Sequence, residues 1–140
     1  MYDLKFAPAA ADRVGALYWR KHRCARIVFS LKFHLGEWTG RQCVDYLIDR
    51  VGHEPAAAEG EVRRSVSGGY GPLYQAGYML GGLQIRRLHD ELVVPGSKWT
   101  ERRFHDEILQ QNNMPIAVLR AALADQPPPQ KLAPWRFADR

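Results

Sequence analysis

The feature that most constrains the fold is a long run of helical periodicity near the start of the chain. Between residues 10 and 35, apolar side chains recur at spacings close to the period of an α-helix. Gly36 is expected to end this helix, because glycine readily takes the left-handed conformation found after helix C-termini. The periodic residues are Val14, Leu17, Tyr18, Cys24, Ala25, Val28, Leu31 and Leu35.

Capping and turn signals divide the rest of the chain into shorter helices. Thr39 followed by Gln42 is a capping box that predicts the start of the second helix, and Gly52 predicts its end. No segment shows the alternation typical of a strand, so the sequence predicts an all-α protein of about six helices. The later helices are expected over Pro55 to about Val66, Pro72 to about Leu92, Thr100 to about Asn112 with Phe104, Ile108 and Leu109 as its apolar residues, and from Pro115 through Leu123.

Length and composition indicate one domain with its own core. The chain has 140 residues and is 46% hydrophobic, so we expect a single helical domain over residues 1–124. Residues 125–140 are rich in proline and are expected to form a mobile tail. No apolar run approaches the ~20 residues that cross a bilayer, and no signal peptide is evident, so the expected location is cytoplasmic. Cys24 and Cys43 are expected to be buried free thiols on apolar helix faces.

The formal charge of +5 raises the question of nucleic-acid binding. Basic residues are concentrated between Arg20 and Lys32, but elsewhere they are interleaved with acids, as in Glu61-Val62-Arg63-Arg64. This mixture is more typical of a solvated helix surface than of a stripe that follows phosphates. Nucleic acid is therefore the least favoured partner.

A segment rich in glycine and tyrosine is the strongest local hint of a site. Tyr74 and Tyr78 are four residues apart and share a helix face, with Tyr70 nearby in a glycine-rich loop. Their hydroxyls suit hydrogen bonding to an oxyanion or a peptide carbonyl, but composition alone favours half-buried aromatics with their hydroxyls at the surface. Glycine costs ~1 kcal/mol in a helix interior, so tight helix contact or room for a ligand is expected at Gly77, Gly81 and Gly82.

The histidines show no metal-binding spacing. His53-Glu54 has Ala57 where a second zinc ligand would stand, and a helix-capping role is expected for His53. His34 and His105 could each serve as a cap or as a core hydrogen-bonding group. Arg23 and Arg26, three residues apart, could clamp a carboxylate together or simply be solvated. No metal ligand is assigned within the chain.

Several ordered segments resemble the C-terminal region of a bacterial family of unknown function, the DUF885 type, which is grouped with the gluzincin metallopeptidases. The resemblance runs from Arg13 to Leu123 and implies the C-terminal helical part of a zincin-like fold. The matching segments are Leu17–Arg26, Phe29–His34, Trp38–Thr39, Asp45–Glu54, Glu61–Arg64, Tyr78–Ile85 and Phe104–Leu109. One segment departs: the chain reads Val-Phe-Ser-Leu-Lys at 28–32, where many members have Val-Val-Asp-Thr-Gly.

The resemblance implies a role in peptide hydrolysis. Longer members carry a His-Glu-x-x-Pro-Gly-His type motif upstream, which this sequence lacks. The chain is thus expected to be a substrate-cleft portion, inactive alone, with zinc and the catalytic motif on an N-terminal partner chain and a peptide as substrate. Tyr78 would stabilise the oxyanion. The substrate-binding residues would be Tyr70, Tyr74, His34, Arg26, Arg23 and His105. The alternative is a non-enzymatic helical interaction module or a homodimer.

Overall fold

The computed structural model describes residues 8–127 and 130–131, and all the regular structure in this part of the chain is helical. This confirms the predicted all-α class. No helix within these residues is long and apolar enough to cross a membrane. The helices are α1 (Ala10–His34), α2 (Gly40–Val51), α3 (Pro55–Val66), α4 (Gly77–Leu92), α5 (Glu101–Gln110) and α6 (Ile116–Leu123), with a 3₁₀ turn over Tyr74–Ala76.

Local capping groups determine where the helices begin and end. The Thr39 hydroxyl accepts a hydrogen bond from the Gln42 amide at 3.3 Å, and the Gln42 side chain accepts one from the Thr39 amide at 2.8 Å. Gly52 follows α2 with a φ of +86°, which a side chain would disfavour. Thr100 caps α5 through the Arg103 amide at 3.2 Å. The predicted boundaries of α1, α2, α3, α5 and α6 are confirmed within a few residues.

The start of α4 differs from the prediction. Pro72 was expected to open the helix, but Leu73 has a φ of +63°, in the left-handed region. A residue in this conformation cannot belong to a right-handed helix. The chain therefore forms the 3₁₀ turn first, and α4 begins five residues later than expected, at Gly77.

The apolar residues of α1 occupy two faces, and only one of them is in the core. Ala25 and Phe29 are buried, together with the polar side chains of His22 and Ser30. Cys24 is exposed, because a residue one position from Ala25 is turned by about 100° around the helix axis. The expectation of two buried thiols is thus wrong for Cys24 and confirmed for Cys43.

The chain divides into two compact units, the first ending at Met79 and the second beginning at Leu80. In the first unit, α1, α2 and α3 enclose an apolar core. Its buried members are Ala25, Phe29, Cys43, Val44, Leu47, Val51, Ala58 and Val62. The expectation of one helical domain over residues 1–124 stays a prediction.

The second unit has its own core, formed by residues that follow the boundary. Leu88, Trp99, Phe104, Leu119 and Leu123 are buried there. Leu109 was expected on the apolar face of α5 but is 82% exposed, because five residues turn it about 140° away from Phe104.

Most of the predicted mobile tail, residues 125–140, lies outside the described residues. Within the part that is described, Asp125 forms an ion pair with Lys98, whose Nζ lies 2.9 Å from Oδ2 of Asp125.

Candidate functional site

The most chemically organised part of the first unit is built around Glu61 on α3. Its carboxylate accepts a 2.5 Å hydrogen bond from Nε of Arg26 on α1 and a 2.8 Å bond from Nη2 of Arg64, one helical turn along α3. The side chains of Arg26 and Glu61 are only 12% and 11% exposed. Charge-assisted bonds between two nearly buried groups are strong and directional, so the Arg26 guanidinium is held in one place.

Arg26 supports the ring of Tyr78. Its guanidinium carbon lies 5.7 Å from the centroid of the Tyr78 ring, within the range of a cation–π contact. Tyr78 itself is 56% exposed. The pairing with Glu61 therefore positions a cation beneath a phenol that faces solvent.

Tyr70 and Tyr74 complete an aromatic cluster with Tyr78. The Tyr70 and Tyr74 rings are stacked, with centroids 4.5 Å apart and planes within 8° of parallel. The Tyr74 and Tyr78 rings meet edge to face at 5.8 Å. A hydrogen bond with the Tyr78 side chain raises the pKa of Tyr74, and the neighbouring charge of Tyr78 adds to the effect. The structure thus brings the three predicted tyrosines together, and all three are exposed.

A pair of histidines, the buried His22 and the half-buried His53, adjoins Glu61. Nδ1 of His22 and Nε2 of His53 are 2.7 Å apart, and Nδ1 of His53 is 3.1 Å from the Tyr18 hydroxyl. His22 is 2% exposed, and among the described residues its Nε2 has no hydrogen-bond partner. An oxygen of Glu61 lies 3.9 Å from it. Tyr18, His53 and His22 thus form a hydrogen-bonded chain, which ends 3.9 Å from the Glu61 carboxylate.

Both histidines of this pair are held neutral at pH 7. Burial lowers the pKa of His22 to about 4, and the positive charge of Arg26 acts in the same direction. Burial also lowers the pKa of His53, although Glu61 opposes the effect. A neutral His22 forms no ion pair with Glu61, so the carboxylate is left to its two arginines.

Sequence reasoning missed this histidine pair. His53 was expected to cap a helix, but the cap of α3 is Glu54, whose carboxylate accepts from the Ala57 amide at 3.0 Å. The available signal was helical spacing, because His22 stands three and seven residues before Ala25 and Phe29 and so shares their buried face.

The other predicted site residues lie elsewhere. Arg23 is exposed, while Arg26 is paired with Glu61 and is neither solvated nor joined with Arg23 in a clamp. His34 is exposed at the end of α1, eight residues or about 12 Å along the helix from Arg26. His105 belongs to the second unit, where it is exposed and its Nε2 lies 3.7 Å from a Glu101 oxygen.

The glycines of α4 leave open space beside the helix. Among the described residues, a Cβ built on Gly77, Gly81 or Gly82 would meet no heavy atom within 4 Å. Tight helix contact, one of the two reasons expected for these glycines, is therefore not observed at Gly77. The space at Gly77 adjoins the tyrosine cluster.

The zinc implied by the family resemblance is expected on a partner chain. In the described part of the chain, no three histidine, cysteine, aspartate or glutamate side chains are grouped so that they could hold a metal ion. The groups that the tyrosine cluster offers are phenol hydroxyls beside the guanidinium of Arg26.

Comparison with known proteins identifies a family. A profile of the family described as bacterial protein of unknown function, DUF885, matches residues 1–123. No curated protein and no solved structure matches the chain. Since the match covers most of the sequence, this chain belongs to the DUF885 family of bacterial proteins of unknown function.

Proposed function

We propose that this chain supplies the oxyanion-binding part of a zinc-peptidase-like site, whose metal is bound by a partner chain. The observation that carries the proposal is the exposed Tyr78 phenol, supported by Arg26 at 5.7 Å and flanked by Tyr74 and Tyr70. A hydroxyl fixed in this way can donate a hydrogen bond to a peptide carbonyl oxygen as negative charge develops on it.

The surroundings of Tyr78 support such a role electrostatically. The Arg26 guanidinium lies under the ring and favours negative charge near it, and Glu61 keeps the guanidinium from moving toward the substrate. Tyr70 and Tyr74 add two exposed phenol groups that suit the backbone of an extended peptide. Metal and nucleophilic water are assigned to the partner chain.

The test is complementation with the zinc-binding segment of a longer DUF885 member. The two chains are mixed, and cleavage of fluorogenic peptides is measured with and without zinc. We expect activity only from the mixture, and a loss of about 10²- to 10³-fold in kcat for Tyr78→Phe, the usual effect of removing one oxyanion donor. Tyr70→Phe is the matched control, expected to change kcat less than tenfold.

Two results would contradict the proposal. One is an active mixture whose kcat is the same with Tyr78→Phe as with the wild-type chain. The other is peptidase activity of this chain alone, together with one zinc ion per chain by plasma mass spectrometry, which would place the metal site here.

A further inference from the structure

The face of α1 that the core leaves uncovered carries a regular heptad spacing. Successive positions alternate between steps of three and four residues, which is the seam of a two-helix coiled coil. Every member is exposed. We call it the α1 strip, formed by Val14, Leu17, Lys21, Cys24, Val28, Leu31 and Leu35.

The α1 strip is a second apolar surface, distinct from the core face of the same helix. At about 100° per residue, its axis lies roughly 105° around the helix from that of His22, Ala25 and Phe29. Val14 is 66% exposed and Leu35 is 68% exposed. Single exposed apolar residues are common, but an aligned run about 32 Å long is typical of an interaction site.

The residue types on the strip specify one helix as its occupant. Valine stands at the a positions 14 and 28, and leucine at the d positions 17 and 31. Branched a residues with leucine at d favour pairing of two helices, and a single lysine at a, here Lys21, fixes register. A groove of about 340 Å³ between α1 and α2 adjoins the strip and is lined by Lys21, Cys24, Val28, Tyr46 and Arg50, among others.

Charge decides between a second copy of this chain and a different helix. The sequence has no aspartate or glutamate between Asp12 and Glu37. Lys21 lies on the strip, Arg20 lies at its edge, and Arg50 faces Lys21 across the groove. A second copy would bring the same cations together with no carboxylate on either strip to offset them.

We propose that the α1 strip binds one acidic amphipathic helix of a partner protein. Leucine or valine at the a and d positions of that helix would pack on the strip, and glutamate or aspartate at its e and g positions would face Arg20, Lys21 and Arg50. A flat anionic membrane would attract the same cations. It would not fill the concave groove, however, and it would not require the heptad spacing of the strip. The proposal does not depend on catalysis at Tyr78.

The experiment measures fluorescence anisotropy of a labelled synthetic peptide added to the full chain. The peptide has about four heptads, with valine at a, leucine at d and glutamate at e and g. We expect it to bind at least about tenfold more tightly than a matched peptide with lysine at e and g. Leu17→Glu and Leu31→Glu should each weaken binding at least about tenfold.

A control variant separates the strip from apolar exposure in general. Leu109→Glu changes an 82% exposed leucine on α5 and should leave the affinity unchanged. Circular dichroism verifies that each variant keeps its helix content, which is expected because all three positions are exposed.

Three outcomes would overturn the proposal. Equal affinity for the acidic and basic peptides would remove the charge argument. A dimer in light scattering that Leu17→Glu dissociates would assign the strip to a second copy. Sedimentation with phosphatidylserine vesicles that Leu17→Glu abolishes, with no binding of the acidic peptide, would assign it to a membrane surface.

Discussion

At the scale of single residues, buried His22 and its half-buried partner His53 tie the stability of the first unit to pH. His22 and His53 are hydrogen-bonded to each other at 2.7 Å inside the unit, and Tyr18 closes the outer end of the pair. Folding removes His22 from water as a neutral ring, so protons bind it more readily in the unfolded chain. The same burial that organises the site next to Glu61 therefore costs stability in acid.

The free energy of unfolding should fall as the pH falls from about 6.5 to about 4. The pKa of His22 is lowered from 6.5 to about 4 in the folded chain, so the unfolded state binds more protons in this window. The loss should approach about 3 kcal/mol. Urea unfolding at several pH values measures this loss.

His22→Gln should make the free energy of unfolding less dependent on pH. His34 is an exposed histidine of the same helix, so His34→Gln should leave the pH dependence as in wild type. An unchanged pH dependence in His22→Gln would contradict the role assigned to His22.

The site shows which residue properties the sequence makes predictable. The grouping of Tyr74 with Tyr78 follows from a four-residue spacing, which is local information. The contact between His22 and His53 joins residues 31 positions apart and depends on how α1 packs against the loop after α2. Helical spacing was an available signal for the burial of His22, but no local pattern identifies its partner.

At the scale of elements, the helix ends depend on single side chains. The capping box of α2 satisfies the Gln42 amide through the Thr39 hydroxyl and the Thr39 amide through the Gln42 side chain. Both bonds are local, so the sequence was sufficient to predict them. The start of α4 was not predictable in the same way, because a Pro-Leu pair does not indicate that Leu73 takes the left-handed conformation.

Removing the Thr39 hydroxyl should destabilise the first unit. Thr39→Ala is expected to lower the free energy of unfolding by about 1 kcal/mol, the usual cost of a lost N-cap. Thr39→Ser keeps an acceptor oxygen and should stay close to the wild-type value. Denaturant midpoints at constant m-value provide the comparison, and equal midpoints for Ala and Ser would rule out a capping contribution.

A second element-scale prediction concerns His89, which links α4 to the start of α5. Its Nε2 is 2.9 Å from Glu101 and its Nδ1 is 3.2 Å from Asp90. Burial lowers the pKa of His89, but the hydrogen bonds to Glu101 and Asp90 outweigh it and hold the pKa above 6.5. A raised pKa means stabilisation that is present below pH 6.5 and is lost as the pH rises through the folded value.

The size of this effect is limited by solvent. Glu101 is 68% exposed, so the pair should contribute less than about 1 kcal/mol. In wild type, the free energy of unfolding should fall as the pH rises above 6.5, and His89→Gln should abolish this fall. His105 is a neighbouring and more exposed histidine, so His105→Gln should show nearly the same fall as wild type. Thermal unfolding between pH 6 and pH 9 tests the prediction, and a steeper loss in His89→Gln than in wild type would contradict it.

At the scale of the whole molecule, two apolar cores are seen in the part of the chain that the structure describes. Phe29 lies at the centre of one and Phe104 at the centre of the other, each fully buried. The sequence predicted enough apolar residues for a core, but periodicity does not show how helices are divided between cores. The same limit explains α1, where the apolar residues include both a buried face and the exposed strip.

Each core should respond to its own truncation. Phe104→Ala is expected to lower the free energy of unfolding of the second unit by about 3–5 kcal/mol, because it removes buried packing. Amide exchange should then accelerate in α5 and α6, with little change in α2. Phe29→Ala should show the reverse pattern, with faster exchange in α1 and α2. Hydrogen exchange followed by mass spectrometry resolves the two sets of peptides, and uniform acceleration across the chain in both variants would show one cooperative unit instead.

The unequal placement of the two thiols makes the chain chemically a single-thiol protein. Cys43 is fully buried, its Sγ donates to the Phe29 carbonyl at 3.7 Å, and burial raises its pKa. Thiolate is the reactive form, so Cys43 is protected from alkylating reagents near neutral pH. Cys24 is exposed on the outer face of α1 and is open to such reagents. A fluorophore or spin label can thus be attached at one defined point of the native sequence, where its mobility reports whether that face is covered.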